Sequence, residues 1–225
     1  MILTINGGSS SIKFALYEQG NQPEKIFSGQ ISRIGFPNAE FTLKDVKTAE
    51  KKTELVKEKD YTSTISWLLS RLKKQVNLDS ITAIGHRVVH GMQHTEPALI
   101  TTKLLEELKQ IIPYDPDHLP NEIKLIEAFQ KYLPKIPQFA CFDTAFHQTM
   151  PHVAKQLPIP RRFEKLGMQR YGFHGLSYNY LIQELEKQAG KEAANGRVIL
   201  AHLGNGASLA AVYQGKSIDT SMGFT

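Results

Sequence analysis

Two stretches decide how this chain is read: ILTINGGSSSIKFALYEQG at residues 2–20 and ILAHLGNGASLAAVYQG at residues 199–215. Each is an apolar run, a knot of small residues, a second apolar run ending in tyrosine, then Gln and Gly. Apolar runs broken by a glycine turn read as antiparallel hairpins. Their similarity near opposite ends of one chain points to duplicated half-molecules, each contributing a glycine hairpin to a central cleft.

The knots suit phosphate. Gly7 and Gly8 let main-chain amides approach an anion, and Ser9, Ser10 and Ser11 add hydroxyl donors. On a regular strand Lys13 would share a face with Ser9 and Ser11. An ordinary turn would explain one Gly-Gly-Ser, but a matched pair is better explained by a shared ligand. There is no G-x-x-x-x-G-K-[ST], and GNGASL lacks the third glycine of a dinucleotide fingerprint. Walker-type nucleotide binding and a Rossmann oxidoreductase are therefore set aside.

The rest of the chain reads as mixed α/β. Apolar residues at helical spacing predict helices over 62–74, 104–112, 123–133 and 178–188, whereas ITAIGHRVVHG and QFACFDTAF read as strands. Pro151, Pro158 and Pro160 disfavour regular structure and place a domain boundary near 150. The first domain is then 1–150, and 151–225 is a partial second one.

Composition narrows the function classes. The 225 residues are 41% hydrophobic and 22% charged, and the net charge is +5. The run from Lys44 to Asp60 mixes six lysines with five acids and reads as a solvated face rather than a phosphate-tracking stripe. Nucleic-acid binding is not expected. No apolar run is long enough for a membrane span, and no secretion signal opens the chain, so a cytosolic protein is expected. Cys141 is the only cysteine, which excludes a Cys-based zinc site and an intrachain disulfide.

Four stretches carry candidate chemistry. In GHRVVHGMQH, His86, His90 and His94 recur every four residues; on a strand, four residues span about 13 Å, too far for one ion. Arg87 and Val89 instead project from one face as a cation followed by an apolar wall, suiting a small carboxylate with a short alkyl tail. A structural ion pair explains Arg87 equally well. In CFDTAFH, Asp143 ends an apolar strand, either as a cleft acid or as a cap on the next turn. In RYGFHGLS, His174 stands between Gly172 and Gly175 beside Phe173, either as a positioned imidazole or as a core histidine.

Taken together, LTINGGSSSIK, GHRVVHG, FDTAFH, RYGFHG, HLGNGAS and DTSMGFT occur in this order in the acetate kinases, and the chain resembles that family from residue 2 to 225. The resemblance implies a duplicated RNase H-like α/β fold of the acetate and sugar kinase, Hsp70 and actin type, with a truncated second domain on the nucleotide side. It implies the reaction ATP + acetate ⇌ ADP + acetyl phosphate with Mg2+ in an interdomain cleft, and a homodimer at full length. By motif, Asn6 would lie near the metal, while Lys13 with Ser9 and Ser11, and His202, Leu203, Gly204, Asn205 and Gly206, would contact ATP. Arg87 would hold the carboxylate, Asp143 is the catalytic acid, His174 the transition-state stabiliser, and Val89 and Phe173 wall the methyl pocket. Because acetate is already ionised at pH 7, Asp143 is expected to hold magnesium or orient Arg87 rather than act as a base.

Two motifs depart from the family pattern. HNPPN stands here as DHLPN, leaving Asp117 and His118 as alternatives for the family histidine and Leu119 in the pocket run. GFHGTSH stands as GFHGLSY, with Leu176 and Tyr178. Both touch the substrate side, so propionate is an alternative to acetate. Family members continue past DTSMGFT, so these 225 residues alone are expected to bind ATP poorly and not to turn over. A non-catalytic binding module has no need of Arg87, Asp143 and His174 together, and a two-metal nuclease needs more carboxylates than Asp143.

Overall fold

The opening hairpin pairs β1 (Ile2–Gly7) with β2 (Ile12–Glu18) antiparallel, with Gly7 opposite Ile12 and Asn6 opposite Lys13. Alternation sends Leu3 and Ile5 into the core with Ile12, Phe14 and Leu16, which fixes the register because a one-residue slip would expose all of them. The computed structural model describes residues 1–204 and 206–224, so Asn205 lies outside the described residues.

The chain continues through β3 (Glu24–Ser32), β4 (Glu40–Asp45), β5 (Lys51–Leu55), α1 (Tyr61–Gln75), β6 (Ala83–Val88), β7 (Ala98–Leu99), α2 (Thr102–Gln110), α3 (Leu119–Tyr132) and β8 (Gln138–Phe142). The strands form one sheet in the order β5-β4-β3-β2-β1-β6-β8-β7, in which β1 and β6 run parallel. Ile65, Leu68, Leu69 and Leu72 of α1 and Leu125 and Phe129 of α3 bury against it. Local chemistry starts the helices: the Asp60 carboxylate accepts the Ser63 N–H at 2.9 Å, and Thr101 Oγ1 accepts the Leu104 N–H at 3.2 Å.

The charged run 44–60, read from sequence as a solvated face, contains the end of β4 and all of β5. As an edge strand, β5 tolerates Lys51, Lys52 and Glu54, and those charges discourage further strand pairing. Glu54 also accepts a salt bridge from Arg71 of α1 at 2.5 Å.

The remaining elements are α4 (His152–Lys155), α5 (Gly175–Asn195), β9 (Arg197–Leu203), β10 (Ala207–Tyr213) and β11 (Lys216–Thr220). Strands β9 to β11 form an antiparallel sheet in the order β11-β10-β9. Tyr178 of α5 packs with Leu200, Ala210 and Val212, whereas Ile199, Leu203 and Tyr213 lie on the exposed face. Non-helical backbone at Gly190, φ +86°, ends the first helical segment of α5 close to the expected 188, and a short second segment continues to Asn195.

The chain divides into two compact units, Met1–Val88 with Ala98–Ala140, and Val89–Pro97 with Cys141–Thr225. The position expected from the prolines, near 150, therefore falls within the second unit. Pro151 precedes the single-turn α4, and the chain returns through Arg170, whose N–H donates to the Lys155 carbonyl at 2.7 Å. Strand β6 ends at Val88, so Val89 is not the next same-face residue of a regular strand after Arg87. The turn after it is held by the Gly91 N–H on Thr144 Oγ1 at 3.1 Å and by His94 stacking on Phe142 at 4.9 Å.

His86 Nε2 donates to Gln138 Oε1 at 2.8 Å, and the ring is buried edge-on to Phe129. Burial pushes its pKa down to about 4, well below the usual imidazole value near 6.5. In the unfolded chain this histidine takes up a proton first. Its contribution to stability is therefore complete above pH 6.5 and lost as pH falls to 4, a decline of about 3 kcal/mol. Denaturant unfolding at stepped pH should show this slope, and His86→Gln should flatten it. An unchanged slope in the variant would contradict the assignment. Burial lowers His147 as well, so part of the slope persists in the variant.

Candidate active site

In the first unit the register sets three polar residues in a row. Asn6 of β1 and Lys13 of β2 are directly opposite, so their side chains share a sheet face. On the other side of β1, Arg87 of the parallel strand β6 donates from Nη1 to Asn6 Oδ1 at 3.1 Å. An amide oxygen between two cations is an arrangement ready for polyanions. The adjoining turn is tight: the Gly8 N–H donates to the Ser11 carbonyl at 2.7 Å, and Ile34 N–H anchors the Ser10 carbonyl at 2.9 Å. Ser9 remains exposed and Ser11 half-buried.

His118, at the start of α3, has its Nδ1 2.8 Å from Asp115 Oδ1. That hydrogen bond raises its pKa above the usual range; Asp115 and Glu122 add to the effect, while partial burial and the Arg87 charge oppose it. Of the two sequence alternatives, Asp117 is exposed, whereas His118 is half-buried and bonded to Asp115. Leu119 is fully buried at the start of α3.

In the second unit the RYGFHG run is clamped from below. His147 Nε2 donates to the Phe173 carbonyl at 2.9 Å, and Ser217 Oγ donates to His147 Nδ1 at 2.8 Å. Gly172 lies against that ring with φ +71°, and a Cβ there would come within 2.6 Å of His147. His174 follows in the left-handed region, φ 60° and ψ 21°, a conformation unfavourable for a non-glycine residue and held here at the entrance to α5. Asp143 is 1% exposed, and its carbonyl accepts the Gly175 N–H at 2.9 Å, seating the helix on the end of β8.

The His174 ring stacks on His202, centroids 4.0 Å apart and planes 22° from parallel. His174 Nδ1 lies 2.8 Å from Ser208 Oγ, and His202 Nδ1 3.0 Å from Ser177 Oγ. Gly206 closes over the ring, leaving only 3.4 Å between His174 Nε2 and the place a Cβ would take. The Gly204 N–H donates to the Gly206 carbonyl at 3.1 Å. Leu203, expected beside His202 in the same contact, points to the opposite sheet face and is 80% exposed. Val89 and Phe173 do come together, in a buried cluster with Tyr171 that Met92, Met222 and Phe224 adjoin.

Several residues of this second-unit cluster went unnoticed in the sequence. Ser208 is one of them, and it is the cross-strand partner of the candidate His202, so the hairpin register puts it on the same face. Nothing in the spacing marks His147. Nor does it mark Arg170, which binds the Asp219 carboxylate at 3.0 Å as well as the Thr220 carbonyl.

The acetokinase family model matches residues 1–225. An acetate kinase of Bacillus cytotoxicus is 43% identical over 230 residues, covering all of this chain and 57% of that protein. Among solved structures, a propionate kinase of Francisella tularensis matches with TM-score 0.88 at 38% identity, and the Porphyromonas gingivalis acetate kinase with 0.85 at 35%. Each match covers the whole chain and 57% of the solved one, so the chain spans little more than half the length of these relatives. It shares their α/β fold, and it belongs to the acetokinase family.

Proposed function

We propose that the protein carrying this chain transfers the γ-phosphoryl group of ATP to acetate, reversibly and with Mg2+, giving acetyl phosphate and ADP. The observation that supports this most is the His174 and His202 stack closed by Gly206, an imidazole pair set against a glycine turn in a chain of the acetokinase family. Phosphoryl transfer spreads negative charge over three equatorial oxygens, so catalysis rests on cations and oriented N–H donors. Arg87 grips the carboxylate with its planar fork, and His118 adds a second cation when protonated. His174 and the amides of the glycine turn take up the developing charge, while Lys13, Ser9 and Ser11 steady the polyphosphate. Val89 and Phe173 enclose the methyl group.

Among the described residues, no three His, Cys, Asp or Glu side chains stand together to hold a metal ion. This fits magnesium, which keeps several waters and binds through few protein groups plus substrate phosphates. Asn6 Oδ1 accepts one hydrogen bond from Arg87 and keeps a second lone pair for that role. When bound, the ion would neutralise phosphate charge. Asp143 is not needed as a base, because an ionised acetate has no proton to lose.

A coupled ADP-release assay on the protein as the cell makes it tests the reading. Acetate and propionate are expected to turn over and butyrate to be slow. ADP release with none of them would overturn the proposal. Propionate is the second reading, favoured by the likeness to the Francisella propionate kinase structure. Asp143→Asn should lower kcat by about 10² to 10³ while leaving the basic limb of the pH profile in place, and loss of that limb would make Asp143 a base.

A further inference from the structure

We propose that Tyr178 and Ser208 are positioning residues: a buried hydroxyl relay, Tyr178 O–H to Ser208 Oγ–H to His174 Nδ1, that fixes the His174 proton on Nε2 facing the glycine turn. The kinetic part rests on the function proposed for His174, but the tautomer does not.

The direction of the relay follows from counting protons. Tyr178 is fully buried in α5, so its hydroxyl proton has no access to water, and Ser208 Oγ is its hydrogen-bond partner. Tyr178 thus gives its own proton to Ser208. Ser208 Oγ then has one proton left to place, and His174 Nδ1 lies 2.8 Å away. A nitrogen that accepts is unprotonated, so the neutral ring carries its proton on Nε2. In the reverse order, Nδ1–H to Ser208 to Tyr178, the phenol proton would have no acceptor among the described residues, a penalty for a buried donor.

The geometry then turns that proton to use. Nε2 is the atom lying against Gly206, 3.4 Å from where a Cβ would sit. The left-handed backbone at His174 fixes the ring's origin, and the stack on His202 fixes its plane. Ser208 thus supplies the remaining constraint, rotation about the ring normal being set by the hydrogen bond at Nδ1. Tyr178 holds Ser208 in the donating state, a task distinct from filling the core beside Phe146 and His147.

The test is a two-bond 1H–15N correlation spectrum of protein labelled at histidine, with the His174 signals assigned from His174→Gln. Native protein should show His174 with Nδ1 bare and Nε2 protonated. Tyr178→Phe, which keeps the ring and its packing, and Ser208→Ala should both give a mixture of tautomers. Tyr180→Phe, at a position 60% exposed, should not. In the ADP-release assay Tyr178→Phe should lower kcat about tenfold with KM for ATP little altered. A native Nδ1–H tautomer, or a tautomer unchanged in Tyr178→Phe, would overturn the relay. If the tautomer changes and kcat does not, the relay stands and the role given to His174 in phosphoryl transfer fails.

Discussion

Arg87→Ala should lower kcat/KM for the carboxylate substrate by about 10³-fold or more, the scale of losing an arginine that stabilises phosphoryl-transfer charge. The reason is local. Arg87 is fixed by its hydrogen bond to Asn6, and its charge is felt by His118, so the guanidinium is held beside groups that a carboxylate would also meet. Arg87→Lys retains the charge but not the planar fork and should recover only part of the loss. Steady-state kinetics with varied acetate, together with denaturant unfolding of the same variants, separates the two readings of this residue. A variant with native kinetics and a loss of stability alone would make Arg87 a structural ion-pair residue and remove it from the site.

The second large effect concerns stability. Gly172→Ala should cost about 4 kcal/mol, of which about 1 kcal/mol is the left-handed backbone and the rest the collision with His147. Gly215 provides the comparison, since its φ is +72° but nothing lies within 4 Å of a Cβ there. Gly215→Ala should therefore cost only the backbone part. His147 cannot retreat from Gly172, because Ser217 and the Phe173 carbonyl hold both ring nitrogens. Equal losses in the two variants, measured by denaturant unfolding, would mean that the ring moves aside and does not brace the His174 loop.

The difference between these positions also shows what a sequence can reveal. Helices α1, α2 and α3 were legible because Leu68 and Leu72, or Leu104 and Leu108, recur at helical spacing, and the opening hairpin because its apolar runs flank a glycine turn. Arg87, Asp143 and His174 stand out in the sequence as candidates because each sits in a short motif with unusual neighbours. Strands β3 to β5 were not legible, since an edge strand such as β5 bears charges that resemble a solvated surface. Alternation puts Val89 on the Arg87 face, but that rule holds only while the strand lasts, and β6 stops at Val88.

The family, the mixed α/β character, the two glycine hairpins and the residue types available for chemistry follow from local pattern and motif order along the chain. Tertiary structure alone decided that residues 89–97 pack with the part of the chain after 140, that His147 supports Gly172, and that Tyr178 reaches His174 through Ser208. Those three depend on which buried donor meets which acceptor across long separations in the chain. Such pairings are fixed by packing and hydrogen-bond geometry, and spacing along the chain does not encode them.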